Sequence, residues 1–152
     1  MQIRKVTKED LESFVEVYTK SYKGLEEYAY TRRREIKNYF KWLMARDGDG
    51  FIVAEIDDIA VGFVACDTNW ISIFERRRVG EIHELFVLPE FRERGIGSTL
   101  LKRAIEHSRE RGRNKAELWA GRTNYKARKF YQSHGFREAG EWGKWVRMVR
   151  TL

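Results

Sequence analysis

The segment Glu81–Leu101 constrains the fold of this chain more than any other, because it changes from strand to helix across a short loop. Its first part, Glu81–Leu88, is largely apolar and predicts a strand, which Pro89 ends. Gly95 and Gly97 follow, and the apolar positions after them recur at helical spacing. The segment therefore predicts a strand and a helix that are joined by a glycine-containing loop.

The two glycines of this loop allow two interpretations. Glycine at the start of a helix lets main-chain N–H groups approach a ligand closely, and the helix dipole attracts phosphate. A nucleotide P-loop would need a different spacing and a lysine, and a dinucleotide loop would need a third glycine where this chain has Leu100. Since neither motif is present, Gly95 and Gly97 by themselves indicate either an anion cradle or only a tight turn.

Apolar periodicity over the rest of the chain predicts further helices and strands. The predicted helices are marked by Leu11–Tyr22, by Ile36–Met44 with an end near Asp47, by Ile96–Ile105 with an end at Gly112, and by Asn124–His134. The predicted strands are Ile3–Val6, Phe51–Ile56, Ile59–Ala65, Glu81–Leu88, Ala116–Ala120 and a last alternating segment, Trp142–Val149. The Asp57–Asp58 pair predicts a hairpin turn. We therefore expect one domain over residues 1–152, of mixed α and β structure, with helices packed on a single central sheet.

The chain is basic, with 30 Lys and Arg residues against 23 Asp and Glu residues and a formal net charge of +7. The acidic residues are dispersed among the basic ones and no basic stripe recurs at helical spacing, so the charge gives little support for nucleic-acid binding. The runs Arg32–Arg34 and Arg76–Arg78 could contact RNA or an acidic partner, but short runs of charge are usually solvated surface, and we favour that interpretation. A positive net charge is also what we expect of a protein that binds an anionic cofactor. Abundant arginine, lysine and glutamate with scarce glutamine and asparagine is typical of a thermophilic composition.

The cysteine, the histidines and the hydropathy exclude several classes of protein. Cys66 is the single cysteine and lies in an apolar run, which indicates a small buried side chain and no disulfide scaffold. The histidines lack the neighbours of a metal site, so we expect no metal, a solvent-exposed His107 and a His134 at a helix end. No apolar run is long enough to cross a bilayer, and we expect a cytoplasmic protein without a membrane partner.

Two motifs, one across the glycine loop and one downstream of it, resemble those of a known enzyme family. The pattern Val87-x-Pro89-x-x-Arg92-x-x-Gly95-x-Gly97 resembles the acyl-CoA signature of the GCN5-related N-acetyltransferases. The family's fourth-helix pattern resembles the downstream run Asn124-x-x-Ala127-x-x-x-Tyr131-x-x-x-Gly135-Phe136. The two helices and the hairpin before the first motif also follow the order of the family, so the resemblance covers nearly the whole chain.

The resemblance implies both a fold and an activity. The fold is a twisted, mixed sheet of about six or seven strands with about four helices, and its fourth and fifth strands splay into a V that accepts the pantetheine arm of CoA. The activity is transfer of an acetyl group from acetyl-CoA to a primary amine by direct attack, without a covalent enzyme intermediate. The acceptor is a small molecule, a protein N-terminus or a lysine. The alternative is a non-catalytic acyl-CoA sensor or RNA-binding module on the same fold.

The resemblance also implies which residues bind CoA. Main-chain groups that contact pantetheine, and polarise the thioester carbonyl, belong to Leu85, Phe86 and Val87. The residues around the pyrophosphate, chiefly through main-chain N–H groups, are Arg92, Arg94, Gly95, Ile96, Gly97, Ser98 and Thr99. Asn124 would hold the pantetheine arm, and Tyr131 would protonate the leaving thiolate. Without the resemblance, Tyr131 is explained as a core residue on the helix face of Phe130.

Attack by an amine requires a base that removes its proton. Strand alternation predicts that Glu81 and His83 share one face and that Glu84 lies on the other, and the resemblance favours the position of Glu81. We therefore rank Glu81 first, His83 second and Glu84 third as the catalytic base. A β-bulge in this strand would change the register in favour of Glu84. An ion pair with a nearby arginine is an equal explanation of each carboxylate.

The acceptor is what the sequence determines least. Trp119 stands where ribosomal-type N-terminal acetyltransferases often carry a glutamate base, so a role on ribosomal proteins loses support. The tyrosines at the position of the family's acceptor wall, or in the core, are Tyr22, Tyr28 and Tyr30. An apolar cluster indicates either the acceptor pocket or a contact in a homodimer, and its members are Trp70, Ile73 and Phe74.

Overall fold

The computed structural model describes residues 1–152 and contains one seven-stranded sheet and four α-helices. The strands are β1 (Gln2–Lys5), β2 (Phe51–Ile56), β3 (Ile59–Ser72), β4 (Arg77–Val87), β5 (Lys115–Gly121), β6 (Arg137–Trp142) and β7 (Trp145–Thr151). The helices are α1 (Leu11–Ser21), α2 (Arg33–Arg46), α3 (Ile96–Glu110) and α4 (Tyr125–Ser133). The strand order is β1-β2-β3-β4-β5-β7-β6, and only β4 and β5 are parallel neighbours. The predicted mixed fold is confirmed, and none of the helices is long and apolar enough to cross a membrane.

The β2–β3 hairpin turns at Asp57 and Asp58, as predicted. Both residues have a positive φ, of 52° and 64°, which is the backbone of a two-residue type I′ turn. β3 continues to Ser72, beyond its predicted end at Ala65, and β4 begins before its predicted start. Pairing between these two long strands outweighs the polar composition of the segment, which sequence periodicity does not capture.

The sheet packs α1 on one face and α3 on the other. On the first face, the centroid of the Phe14 ring lies 5.2 Å from that of Phe63 and 5.5 Å from that of Phe86. On the second face, the thiol of Cys66 lies 3.3 Å from the hydroxyl of Ser108. Burial raises the pKa of this thiol to about 12, so Cys66 is the inert core residue that the sequence predicts.

β4 and β5 are paired over only three residues each. The parallel register joins Gly80–Ile82 to Ala116–Leu118. No pairs join the two strands beyond this point, although β4 stays paired with β3 as far as Val87 and β5 stays paired with β7 as far as Gly121. The two strands therefore part toward their C-terminal ends, which is the predicted V-shaped opening.

A β-bulge in β4 changes which side chains share a face. Ile82 pairs with Cys66 and Glu84 pairs with Ala65, so His83 has no partner on β3. Paired residues share a face of the sheet, and the adjacent residues Ala65 and Cys66 of β3 point to opposite faces. Glu84 therefore lies on the face opposite to Ile82. That face is also the face of Glu81, which pairs with Asp67. The prediction that Glu81 and Glu84 lie on opposite faces is wrong, because strict alternation ignores the bulge.

His107 is not the solvent-exposed residue that the sequence predicts. Its Nε2 lies 2.9 Å from Oδ2 of Asp47, and its side chain is only 12% exposed. The same carboxylate accepts hydrogen bonds from the main-chain N–H and the hydroxyl of Thr68. The histidine thus ties α3 to the end of α2 and to β3, a contact between distant segments that local sequence does not reveal.

Gly50 lies at the entrance to β2 and has no room for a side chain. A Cβ on Gly50 would lie 1.9 Å from the main-chain oxygen of Cys66, whereas a Cβ on Gly48 would meet no atom within 4 Å. We expect Gly50→Ala to lower the free energy of unfolding by about 2 kcal/mol or more, and Gly48→Ala to change it by less than about 0.5 kcal/mol. Chemical denaturation measures both variants, and equal stabilities would contradict the close packing of Gly50 on β3.

Candidate active site

The opening between β4 and β5 forms a cavity of about 1110 Å³. Side chains of α3 and α4 line it on one side, among them Ser98 and Phe130. Side chains of α1 and α2 line it on the other side, among them Tyr22 and Tyr39. The cavity therefore passes between the two strands and connects the two faces of the sheet.

The N-terminus of α3 closes one part of this cavity. Gly95 precedes the helix with a φ of 81°, a conformation that favours glycine. A Cβ on Gly97 would lie 3.4 Å from the ring of Phe130. Because glycine has no side chain, the narrow space between the first turn of α3 and this ring stays free of side-chain atoms. The first N–H groups of a helix have no intrahelical partners and carry the positive end of its dipole. These main-chain groups fit an anionic diphosphate.

The predicted pyrophosphate residues do not all face the cavity. Gly95, Ile96, Gly97, Ser98 and Arg92 line it. The Arg92 guanidinium donates to the main-chain oxygens of Val87 at 3.0 Å and of Ser21 at 2.8 Å, so it fastens α1 to the end of β4. Arg94 stacks on the ring of Phe91, and the Thr99 hydroxyl donates to the Gly95 oxygen. Arg94 and Thr99 thus contact residues that line the cavity but do not line it themselves.

The walls of the β4–β5 opening are main chain on one side and α4 on the other. Leu85, Phe86 and Val87 line the cavity where β4 has lost its pairing with β5. Asn124 also lines it, and its Oδ1 accepts a hydrogen bond from the N–H of Ala127 at 3.3 Å, which caps α4. An extended chain can therefore lie along the free edge of β4 as an added strand does.

Glu84 lies between two phenols at this opening. The Tyr22 hydroxyl donates to its Oε1, and the Tyr39 hydroxyl donates to its Oε2 at 2.8 Å. Burial raises the pKa of Glu84, the two hydrogen bonds lower it, and the balance is a pKa of about 7. This carboxyl therefore exchanges its proton close to neutral pH.

Glu81 and His83 also line the cavity, but their surroundings differ from those of Glu84. Burial, and next a hydrogen bond with Glu117, raise the pKa of Glu81 well above its usual range. Nε2 of His83 lies 2.9 Å from Oδ2 of Asp67, and its ring packs against two tryptophans. Glu81 therefore holds a proton more firmly than an ordinary carboxyl does, and His83 is already engaged by a carboxylate.

Tyr131 lies on the inner face of α4 and lines the cavity. Its ring packs against Phe130 and Phe136. Burial, and then the charge of Glu84, raise the pKa of its hydroxyl. The residue is therefore a buried phenol that faces the opening from the side of α4, and it holds its proton firmly.

Aromatic side chains surround the α1 and α2 side of the cavity. The three predicted wall residues all line it, namely Tyr22, Tyr28 and Tyr30. Tyr39 also lines it, together with three tryptophans that the sequence analysis did not assign to this wall, namely Trp119, Trp142 and Trp145. The tight turn between Trp142 and Trp145 was the available signal, because it brings both rings to one end of the sheet. Trp70 and Phe74 pack elsewhere, on His83 and Trp119, and Ile73 is exposed.

The chain matches known proteins over most of its length. The model of the acetyltransferase (GNAT) family matches residues 11–136. A protein from Archaeoglobus fulgidus, named as an uncharacterized N-acetyltransferase, is 66% identical over 137 residues, which cover 90% of this chain and 93% of the relative. A spermidine N(1)-acetyltransferase from Thermoplasma acidophilum is 29% identical over 148 residues, which cover 90% of this chain and 88% of that protein.

A crystal structure from Pyrococcus horikoshii shares the fold of this chain. It aligns with a TM-score of 0.90 and 39% identity, and the alignment covers 99% of this chain and 98% of that one. The opening between β4 and β5 and the glycine loop at the start of α3 agree with what the resemblance to this family implies. The chain therefore belongs to the acetyltransferase (GNAT) family and is an N-acetyltransferase.

Proposed function

We propose that this protein transfers the acetyl group of acetyl-CoA to a primary amine of a small molecule, with Glu84 as the general base. The environment of Glu84 carries the proposal. It is a partly buried carboxyl at the β4–β5 opening, fixed by Tyr22 and Tyr39, with a pKa of about 7. Removal of a proton from an ammonium group is most efficient when the pKa of the base lies near the working pH.

Glu84 suits this role better than the two residues that the sequence ranked above it. Burial, and next the hydrogen bond with Glu117, favour the protonated form of Glu81, which makes this carboxyl less available to accept a proton. His83 shares its Nε2 with Asp67. Glu84 becomes anionic above about pH 7, and its two phenol donors leave the remaining lone pairs of the carboxylate free.

Acetyl-CoA supplies the thioester whose carbonyl carbon the amine attacks. The main chain of Leu85–Val87 and Asn124 would hold the pantetheine arm, and an N–H of this strand would donate to the thioester oxygen. The N-terminus of α3, with the loop from Arg92 to Thr99, would bind the pyrophosphate. Tyr131, a buried phenol that lines the opening from the side of α4, would donate its proton to the departing sulfur as the bond between sulfur and the acetyl carbon breaks.

The acceptor side of the cavity favours a small molecule. Here the turn Glu26–Tyr28 is joined to the far end of the sheet, because the Tyr28 hydroxyl hydrogen-bonds Thr123 and Nζ of Lys144 donates to the main-chain oxygen of Glu27. The Tyr28 ring also covers Gly121, where a Cβ would lie 2.5 Å from the ring. These contacts wall the cavity on a side where a polypeptide acceptor would need an open groove. The similarity to a spermidine acetyltransferase supports the same choice.

Incubation of the protein with acetyl-CoA and a panel of primary amines tests the proposal. Release of free thiol that depends on the amine, together with a product that carries one acetyl group, is the expected result. An N-terminal peptide and a lysine peptide belong in the same panel. Acetyl-CoA binding without amine-dependent thiol release would instead indicate a non-catalytic sensor.

Replacement of Glu84 tests the base. We expect Glu84→Gln to lower kcat/KM by about 10²-fold or more, because glutamine keeps the shape but accepts no proton. In the parent enzyme, kcat/KM should fall as the pH drops through about 7, where Glu84 becomes protonated, and the variant should lack this limb. Steady-state rates over a range of pH measure both effects, with the exposed Glu110→Gln as the control. An acid limb that survives in Glu84→Gln would place the base elsewhere.

Loss of one phenol donor should move the same limb. Tyr39→Phe removes a hydrogen bond that lowers the pKa of Glu84, so its pKa should rise and the acid limb should shift to higher pH by about one unit. Tyr30→Phe is the matched control, because Tyr30 packs on Tyr39 but makes no hydrogen bond to Glu84. If both variants leave the pH profile unchanged, Tyr39 does not tune the catalytic group.

A negative charge in the glycine loop should block CoA binding. We expect Gly97→Asp to weaken acetyl-CoA binding by about tenfold or more, because the carboxylate repels the diphosphate and fills the space in front of Phe130. Gly48→Asp adds the same charge at an open position near the other end of α3, away from the glycine loop, and should bind normally. Calorimetric titration compares the two variants, and equal affinities would show that this loop does not hold CoA.

A further inference from the structure

Glu81 is a buried carboxyl that the proposed proton transfer does not use. Only 3% of the residue is exposed, yet it borders the cavity on the same face of β4 as Glu84. Its Oε1 has no hydrogen-bond partner in the protein. Because folded proteins rarely leave a buried carboxyl oxygen without a partner, an unpartnered one beside a cavity points to a ligand that donates to it.

The neighbouring carboxylate on β5 already has its own partners. Glu117 lies opposite Glu81 and accepts hydrogen bonds from the Ser72 hydroxyl and from Nε of Arg147, both at 2.8 Å. Arg147 also pairs with Glu75 at 2.7 Å. The arginine on this side therefore neutralises two other carboxylates and makes no ion pair with Glu81.

The neighbouring carboxylate on β3 is paired in the same way. Asp67 lies opposite Glu81 and pairs with Nε of Arg46 at 2.6 Å and with Nε2 of His83 at 2.9 Å. Of the three carboxyl groups that lie side by side on β3, β4 and β5, namely Asp67, Glu81 and Glu117, Glu81 is thus the one without a cationic partner in the protein. Burial and the neighbouring Glu117 raise the pKa of Glu81. A ligand ammonium beside Oε1 would act in the opposite direction and favour the anionic form of Glu81.

The acceptor side of the cavity is acidic although the whole chain carries a net charge of +7. Three glutamates line it, namely Glu27, Glu81 and Glu84. The one lysine on this wall, Lys144, directs its Nζ to a main-chain oxygen of Glu27. Aromatic rings fill much of the remaining wall and offer faces to alkyl chains and cations. This lining suits an apolar chain that carries more than one positive charge.

We propose that Glu81 binds a second amino group of the acceptor, so that the substrate class is an aliphatic diamine or a longer polyamine. One amino group is acetylated beside Glu84, and the other, as an ammonium, donates to Oε1 of Glu81. Three steps along β4, one of them in the bulge, separate these residues by roughly 10 Å or less between Cα atoms, a distance that a short alkyl chain bridges. This assignment rests on the acetyl transfer proposed above and adds the group that selects the acceptor.

Two amines with the same carbon chain test the assignment, namely 1,4-diaminobutane and n-butylamine. We expect the parent enzyme to prefer the diamine by about tenfold or more in kcat/KM, because a charge-assisted hydrogen bond to a buried carboxylate is strong. Glu81→Gln should raise KM for the diamine by about the same factor, leave kcat nearly unchanged, and leave both constants for n-butylamine unchanged. Glu110→Gln is the exposed control.

Each alternative outcome is distinct. A parent enzyme without preference for the diamine, or a Glu81→Gln variant that keeps the preference, overturns the role of Glu81 while acetyl transfer stands. An equal loss of kcat with both amines overturns it as well, and assigns Glu81 to the chemistry. If Glu81→Gln does not fold, as judged by circular dichroism, Glu81→Asp shortens the side chain and carries the same expectation. Acetylation of neither amine, nor of any other in the panel, overturns the proposed function itself.

Discussion

The two central strands of the sheet hold together through Gly80–Ile82 and Ala116–Leu118, and then they part. Each strand keeps an antiparallel neighbour on its outer side, β3 for β4 and β7 for β5, so only the inner edges lose their main-chain partners. Main-chain polar groups need partners when water is excluded, and an extended ligand supplies them. The positive end of α3 and the carboxyl groups of β4 can contact molecules bound in the same place, because both border the gap between β4 and β5.

The bulge at His83 is the second feature on which the site depends. It brings Glu84 to the face of α1 and α2, where Tyr22 and Tyr39 each donate to one carboxyl oxygen. Burial and these hydrogen bonds act in opposite directions on the pKa of Glu84, and the result lies near neutrality. A strand of regular register would turn this carboxyl toward α3, away from both phenols.

Local sequence patterns were sufficient for the helices, for most strands and for the glycine loop, because periodicity and turn chemistry depend on neighbours in the chain. The bulge was not predictable in this way, since it depends on how β4 pairs with Ala65 and Cys66, and the expected placement of Glu81 and Glu84 on opposite faces was wrong for that reason. Tyr39 was overlooked because its helical spacing matches that of the buried Ile36 and Leu43. Arg92 belongs to the CoA motif, yet its contacts with Val87 and Ser21 show a structural role that the motif alone does not reveal.

The passage of the cavity through the sheet has a kinetic consequence. A molecule held at the N-terminus of α3 and one held beside Tyr22 and Tyr39 would reach the gap from opposite faces of the sheet and meet only between the strands. Both substrates would then occupy the cavity together, so we expect the initial rates to follow a ternary-complex pattern. Release of either product from such a complex can set an upper limit on turnover.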